Sequence, residues 1–333
     1  MIPPDAAPDL RLAPTMRWMG PGRSAFAGAA GPDRRGETAD IGSPDDLSAV
    51  FGPGVDAAFA RALGAYFSAG GGPCVVLNLP PIGSLPADGR AREWIGEDGG
   101  PGERTGVWAL VDREDVGTIA APGLLDIEIR SGLLSSLAAR EDRFLLLDAL
   151  PDGSAESLPP SPRAAVVDGW SQGADGTSVP PSGPALARLE ASDFSEGRPD
   201  AMLWERLGPG HPTVDRSRFP VVEDWRLWEG LRRSIDLGTR WVIFEENGER
   251  LRRRIEREVG AFLGRLHRLG VLDGKTAGDA FSVRARQGDR PGEGLLVLEV
   301  EARFRGGSRR RERLSPAPRW NSTSTDPDRT QEA

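Results

Sequence analysis

The sequence predicts an α/β fold with mixed sheets flanked by helices and with flexible N- and C-terminal arms. Between residues 107 and 148, apolar runs typical of strands alternate with a helical segment, which is the order of a βαβ unit with a parallel sheet. After Asn247, a long amphipathic helix is followed by two further strand-like runs. The 333 residues are enough for about two domains with a buried core.

Composition narrows the class of protein. The net charge is −8, so the chain as a whole lacks the basic character of a nucleic-acid-binding protein. One cysteine, Cys74, excludes an intramolecular disulfide and a cysteine-based zinc site, and its apolar neighbours indicate a small buried core residue. No apolar run is long enough to cross a membrane and the N-terminal residues show no apolar h-region, so we expect a soluble, cytoplasmic chain.

The first part of the chain predicts alternating helices and strands. Residues 1–22 are proline-rich without periodicity and predict a mobile arm. Residues 24–28 predict a short strand. Ser43 is the expected N-cap of a helix that starts at Pro44. A second helix at 55–67 leads through a glycine run into a buried strand at 74–79.

The middle of the chain carries the βαβ signal. We expect a loop at 80–105, in which Trp94 is the bulky residue that packs. The expected elements after it are strands at 107–111 and 116–120, a helix at 133–139 and a buried strand at 143–148.

The last third begins with a helix at 223–237 that Gly238 is expected to close. The apolar run 240–245 predicts a strand covered on both faces. Asn247 is the expected N-cap of a long helix with one apolar stripe, which Gly270 ends. Strands are expected at 280–286 and 294–304.

A serine-hydrolase motif is approximated at 169–173, where Gly-Trp-Ser-Gln-Gly fits G-x-S-x-G. A nucleophile elbow needs a helix directly after the serine, but residues 174–184 are rich in Gly, Ser and Pro. A catalytic triad also needs a histidine. His211 lies beside a proline, and His267 lies inside the long amphipathic helix. A hydrolase using Ser171 is therefore a remote alternative.

A phosphate-binding loop is approximated at 270–276, Gly-Val-Leu-Asp-Gly-Lys-Thr. The motif needs four residues between its glycines, with a strand before and a helix after. Here three residues separate the glycines and a helix precedes them, so a helix end followed by a turn is the better interpretation.

A family resemblance rests on the order of several short segments. Glu223-Asp224-Trp225, Leu231-Arg232-Arg233-Ser234-Ile235 and Trp241-Val242-Ile243-Phe244-Glu245-Glu246-Asn247 occur in succession, followed by Gly270 to Gly274 and Asp279 to Val283. In this order and spacing they resemble the C-terminal domain of contractile tail sheath proteins, which form the outer tube of contractile phage tails and related bacterial injection systems. Phe51-Gly52, the βαβ order and Pro180-Pro181-Ser182-Gly183 are similar to the same family.

The resemblance implies a division of the chain into five parts. These are a flexible arm at 1–22, the N-terminal part of a sheath-like core at 23–106, a central βαβ domain at 107–195, a C-terminal sheath domain at 196–305 and an Arg-rich disordered tail at 306–333. The run Arg309-Arg310-Arg311-Glu312-Arg313 is either a patch for an acidic partner or nucleic acid, or a solubilising tail. Because the chain as a whole is acidic, a solubilising tail is the favoured interpretation.

The resemblance also implies a structural function without catalysis, cofactor or metal. Such a subunit assembles helically around an inner tube, contacts baseplate or cap proteins, and contracts by repacking, with neither nucleic acid nor membrane insertion. Its expected location is the bacterial cytoplasm, within a phage-tail-like particle or a virion tail. The alternative is a sheath-like cap or baseplate-proximal paralogue that does not polymerise.

Sheath proteins join neighbours by exchanging strands, and no apolar strand-like run follows Phe304. The assembly role therefore falls on the run that ends there, with candidate residues Leu295, Val297, Glu299, Glu301 and Phe304. The residues that match the family's motifs are Trp225, Arg232, Arg233, Trp241, Phe244, Glu245, Asn247, Gly270 and Phe281.

Overall fold

The computed structural model describes residues 16–138, 142–152, 158–159, 161, 163–173, 176–192, 213–214, 222–287, 296–304 and 309–314. These residues divide into two compact units. The first lies between Trp18 and Arg233, and the second comprises Ser234 onward together with Met16 and Arg17. None of the described helices is long and apolar enough to cross a membrane.

The first unit is built on one mixed sheet. Its described strands are β1 (Arg23–Gly28), β2 (Thr38–Ile41), β3 (Cys74–Asn78), β4 (Val116–Ala120), β5 (Phe144–Asp148), β6 (Ala164–Asp168) and β9 (Thr213–Val214), in the spatial order β2-β3-β1-β4-β5-β6-β9. The five central strands run parallel, whereas β2 and β9 pair antiparallel at the edges. A separate two-stranded sheet joins β7 (Ser171–Gln172) to β8 (Ser178–Val179).

Helices flank this sheet. They are α1 (Asp46–Phe51), α2 (Ala57–Ser68), α3 (Arg90–Ile95), α4 (Ile127–Ala138) and α5 (Ser182–Ser192). The predicted βαβ unit is confirmed, because α4 connects β4 to β5 and these strands are parallel, with Ile119 opposite Leu145. Every residue of β3, β4 and β5 is buried, which explains why their sequences are continuous apolar runs instead of alternating ones.

The chain winds outward in both directions from β1, since β3 lies on one side of it and β4 on the other. Strands from the predicted parts 23–106 and 107–195 thus share one sheet. The proposed five-part division of the chain stays a prediction.

The second unit combines a long helix with an antiparallel sheet. Helix α6 (Val222–Thr239) crosses the boundary between the units, and α7 (Glu249–Arg268), α8 (Ala277–Ala280), β10 (Phe281–Gln287), β11 (Leu296–Arg303) and β12 (Arg309–Leu314) follow it. The stripe predicted for α7 is confirmed, with Leu251, Ile255, Val259, Phe262, Leu263 and Leu266 buried. Helix α7 packs against β10, and β11 alternates buried Leu296, Leu298, Val300 and Ala302 with less buried neighbours.

Two apolar runs predicted as strands are 3-10 helices instead. In Gly106–Asp112, the buried side chains Val107, Leu110 and Val111 recur at helical spacing. Arg240–Phe244 continues directly from α6, and Val242 is its buried side chain. In both segments a short apolar run was compatible with either structure, and no strand pairs with it in the described part of the chain.

Several predicted helix ends are also wrong. Helix α1 begins at Asp46, whose carboxylate accepts hydrogen bonds from the backbone N–H groups of Gly42 and Ser43 at 2.8 and 2.9 Å, so Ser43 is not its N-cap. Gly238 lies inside α6, where a Cβ atom would come within 2.7 Å of the Met16 side chain. Gly238 therefore permits close packing and does not end the helix.

Two predicted loops contain regular structure. The segment 80–105 includes a 3-10 turn at Ile82–Ser84 and helix α3, which carries the buried Trp94. The predicted disordered tail includes β12, so that prediction is wrong for Arg309–Leu314. Residues 1–15 of the predicted N-terminal arm lie outside the described residues, and Met16 is buried.

Candidate assembly surface

The three-stranded sheet of the second unit has β11 at its centre. Strand β10 pairs with one side of β11 and β12 with the other, both antiparallel. Glu299 faces Arg284 of β10 and Arg313 of β12. Because side chains alternate along a strand, Glu299 and Glu301 share a face of the sheet with Arg311 and Arg313.

Glu299 holds the outer strands to β11 through its carboxylate. Its Oε2 accepts from Arg311 Nη2 at 2.9 Å, and its Oε1 accepts from Arg286 Nε at 3.1 Å and lies 3.3 Å from Arg313 Nε. The hydrogen bond from Arg311, and then that from Arg286, lowers the pKa of Glu299 below its ordinary value. Cross-strand pairs of opposite charge stabilise a sheet in this register.

The two edges of this sheet differ. On β10, the backbone N–H of Ala285 donates to Oε1 of Glu256 on α7 at 2.7 Å, so the helix occupies one hydrogen-bonding position of that strand. Strand β12 forms the other edge, and within the described residues no strand pairs with its outer side. An edge strand of this kind offers backbone groups to a further strand.

The predicted assembly residues lie on the central strand and at its end. Leu295 lies outside the described residues, and Val297 is half-buried. Glu301 accepts from the hydroxyl of Ser282 at 3.2 Å, while Phe304 is buried and forms a bridge with Leu272. Both sides of β11 are thus paired within the chain, and its assembly role stays a prediction.

Sequence reasoning assigned no assembly role to Arg311, Arg313 or Glu256. For Arg311 and Arg313 the sequence did contain a signal of strand pairing, because arginines at alternate positions of 309–313 match the alternating acids Glu299 and Glu301. The isolated charge run resembled a solvated tail, and its partner strand became evident with the pairing of β11 and β12.

Among the family-motif residues on α6, the arginines bind within the first unit. Arg232 makes two hydrogen bonds with the carboxylate of Glu229, at 2.6 and 2.8 Å, and both side chains are buried. Arg233 donates to the carbonyl of Glu114 at 2.7 Å. The side chain of Trp225 lies outside the described part of the chain.

The motif residues between α6 and α7 form a turn with one exposed aromatic ring. The guanidinium of Arg254 lies 4.1 Å from the ring centre of Trp241 and 3.8 Å from Glu245. Phe244 is 86% exposed, contrary to the predicted buried strand. Asn247 is not the N-cap of α7, which is Gly248, and Asn247 Oδ1 instead accepts from Arg252 at 3.3 Å.

The remaining motif residues follow α7. Gly270 has φ of +76°, and the N–H of Val271 donates to the carbonyl of Leu266, so the predicted glycine helix end is confirmed. Phe281 begins β10 and is half-buried. His267 Nε2 lies 2.9 Å from the carbonyl oxygen of Gly274, so the P-loop-like segment is a turn fastened to the preceding helix.

Ser171 lies in the small β7–β8 sheet and is exposed, with Val179 opposite it. Described residues 171–173 and 176–179 are strand and turn, which differs from the strand-to-helix turn of a nucleophile elbow.

At the carboxyl edge of the parallel sheet, where α/β folds bind ligands, two strand ends are occupied by the chain's own side chains. At the end of β1, the Phe59 ring lies so close to Gly28 that an added Cβ atom would sit 2.2 Å from it. At the end of β5, the buried carboxylate of Asp148 accepts from the N–H groups of Gly123 and Ser182 at 2.8 and 2.7 Å. Burial raises the pKa of Asp148 to about 6. This carboxylate therefore joins the turn after β4 to the start of α5.

No family model matches the chain. A search of curated protein sequences finds no match either.

Solved structures do match. The helical sheath of the anti-feeding prophage in its contracted state is 20% identical, with a TM-score of 0.64 over 92% of this chain and 94% of that chain. The contracted sheath complex of PVC, an extracellular contractile injection system, is 15% identical, with a TM-score of 0.58 over 88% of this chain and 91% of that chain. A sheath tail protein from Listeria innocua is 11% identical, with a TM-score of 0.55 over 91% of this chain and 97% of that chain. The chain therefore has the fold of contractile sheath proteins, as the sequence resemblance implied.

Proposed function

We propose that this chain is a structural subunit of the contractile sheath of a phage-tail-like injection system. The observation that carries the proposal is the match of nearly the whole chain, in both directions, to sheath proteins of three separate systems. Its partners are further copies of itself, an inner tube protein, and baseplate or cap proteins. The particle is assembled in the bacterial cytoplasm.

The open edge of β12 supports assembly by strand addition. Main-chain hydrogen bonds along such an edge join chains with little dependence on side chains, so a joint of this kind survives large changes in subunit packing. Contraction then draws on the free-energy difference between two packings of the same subunits, without nucleotide.

Removal of the edge strand tests the assembly mechanism. We expect the full-length chain to form tubes or rings in negative-stain electron microscopy, and a chain that ends at Arg305 to remain dispersed. Circular dichroism serves as the control that the shortened chain is folded. Equal assembly of both chains would exclude β12 as the joint.

The inner tube provides a second test. If the full-length chain stays monomeric even when its inner tube protein is present, the polymerising function is wrong. Occurrence at one end of the native particle would then point to a cap or baseplate-proximal subunit.

A further inference from the structure

The two compact units carry opposite net charge. Between Trp18 and Arg233 the sequence has 32 acidic and 20 basic residues, a net charge of −12. Between Ser234 and Ala333 it has 16 acidic and 20 basic residues, a net charge of +4. A single value of −8 for the chain conceals this asymmetry, which is a signal for electrostatic association.

Part of the positive charge of the second unit lies along one face of α7. Residues 250, 253, 257, 261, 264 and 268 lie within about 80° of one another around the helix axis. Four of these positions are exposed arginines, Arg250, Arg253, Arg257 and Arg268, which we call the arginine ridge. The ridge lies opposite the buried stripe of the helix.

Most of the ridge is not neutralised within the chain. Arg253 pairs with Glu249 one turn earlier. Arg250, Arg257 and Arg268 form no ion pair with any residue that the structure describes. Their guanidinium groups are therefore available to carboxylates of another molecule.

Two exposed apolar side chains lie in the 3-10 helix that precedes α7. Ile243 is 47% exposed and Phe244 is 86% exposed. The stacking of Arg254 on Trp241 holds this turn against α7. A large aromatic ring exposed to water, in the segment just before a helix with unpaired arginines, is the composition of a binding surface, because Phe and Arg are enriched in protein interfaces.

The first unit carries a surface of complementary composition. Arg90 of α3 and Asp126, which precedes α4, are joined at 2.9 Å. Within one helical turn of this pair lie the exposed acids Asp88, Glu93 and Glu128, which form no ion pair with a described residue. Leu125 and Ile127 beside them are 40% and 48% exposed. We call this surface the acidic patch.

We infer that the arginine ridge and Phe244 of one copy of the chain bind the acidic patch of a second copy. Charge complementarity supports this occupant, since each surface presents two exposed apolar side chains beside unpaired charges of one sign. The contact joins different surfaces of identical chains, so it propagates head to tail and produces a ring or a helix instead of a closed dimer. The inference rests on the proposed sheath function and names the chemistry of its lateral contact.

Two charge-reversal variants test it. Variant A is Arg250→Glu with Arg257→Glu, and variant B is Glu93→Arg with Glu128→Arg. A matched control, Lys275→Glu with Arg17→Glu, makes the same charge change as variant A at exposed residues of the same unit that lie off the ridge. Assembly is followed by light scattering and negative-stain microscopy as the protein concentration is raised.

We expect variants A and B to need at least tenfold higher concentration than wild type to assemble, and the control to assemble as wild type does. An equimolar mixture of A and B should recover assembly, because the reversed ridge of A fits the reversed patch of B, and the native surfaces fit each other. The recovery also shows that both variants are folded. Assembly of the wild type should weaken as salt is raised, since salt screens exposed charge pairs.

The contradicting outcomes are distinct. If wild type assembles and A and B assemble equally well, or if their mixture shows no recovery, this contact is wrong while the sheath function stands. If variant A assembles normally but no longer binds the inner tube protein, the ridge faces the tube instead of a second copy. Failure of wild type to assemble under any condition contradicts the proposed function itself.

Discussion

Glu299 at the centre of β11 accepts a hydrogen bond from Arg311 of β12 at 2.9 Å, and this contact fastens the edge strand to the rest of the sheet. Arg286 and Arg313 approach the same carboxylate from β10 and β12. Among the described residues β12 is an edge strand of this sheet, and exposed arginines around one acid help to hold it there.

The first prediction concerns this joint. Replacing Glu299 by Gln removes the charge while it keeps the shape, so β12 should detach more often. Hydrogen exchange of amides 309–314 should become faster, by less than about tenfold because the arginines are largely exposed. Glu246→Gln is the matched control at an exposed acid away from the sheet. Unchanged exchange relative to that control would show that backbone pairing alone holds β12.

The second prediction concerns acid stability of the first unit. At the start of β1, Arg23 and Arg113 share Asp40 and Asp115, with Arg113 Nε 3.0 Å from Asp115 and Arg113 Nη2 3.0 Å from Asp40. The hydrogen bond from Arg113, against a cost from burial and with help from Arg23, lowers the pKa of Asp115 to about 2.

Because the folded pKa of Asp115 lies below its unfolded value, its stabilisation is complete above about pH 4 and is lost as the pH falls toward 2. We expect a loss of about 1 kcal/mol, after allowance for solvent screening of side chains that are about one-third exposed. Urea denaturation at pH 5 and pH 3 measures it. Asp115→Asn should lack this part of the pH dependence, and a variant with an unaltered slope would contradict the assignment.

The third prediction concerns Asp148. Asp148→Ala leaves the N–H groups of Gly123 and Ser182 without their acceptor, which should destabilise the first unit by about 2–4 kcal/mol. Asp168→Ala, at an exposed residue ending β6, should cost less than about 1 kcal/mol. Equal losses in the two variants would mean that the buried carboxylate has no special role.

Asp148 also has a pH signature opposite in sign to that of Asp115. Since burial raises the pKa of Asp148 to about 6, the folded form takes up a proton more readily than the unfolded form, and stability should increase as the pH falls from 7 to 5. The Asp148→Ala variant should not show this increase.

The fourth prediction concerns packing at the carboxyl edge of the sheet. Gly28→Ala places a Cβ atom 2.2 Å from the Phe59 ring and should destabilise the first unit by about 1–3 kcal/mol. Gly64→Ala, inside α2 with no atom within 4 Å of the added group, should stabilise it by about 0.5–1 kcal/mol. Thermal unfolding of the pair decides the matter, because equal effects would show that the site can relax.

Local patterns in the sequence predicted the elements that are buried along one stripe or buried throughout. The stripe from Leu251 to Leu266 indicated α7, and the apolar runs at Cys74 and Phe144 indicated buried strands. The strands predicted for the runs containing Val107 and Val242 were wrong, because a short apolar segment carries no periodicity that separates a strand from a helical turn.

The assembly surface was less accessible to prediction. Glu299 was among the predicted assembly residues, but its contact with the neighbouring strands depends on Arg311 and Arg286, which lie on those strands. Strand order and register are long-range properties, so the charged run 309–313 could not be recognised as a strand before its pairing was known. Likewise, the apolar run 240–245 predicted a buried strand, whereas the Phe244 side chain is exposed.

The most direct test of the sheath function is electron microscopy of the purified protein together with particles from its native source. We expect tubes or rings of the protein, and its presence along the wall of a contractile sheath. A protein that remains monomeric and is absent from the sheath wall would contradict it.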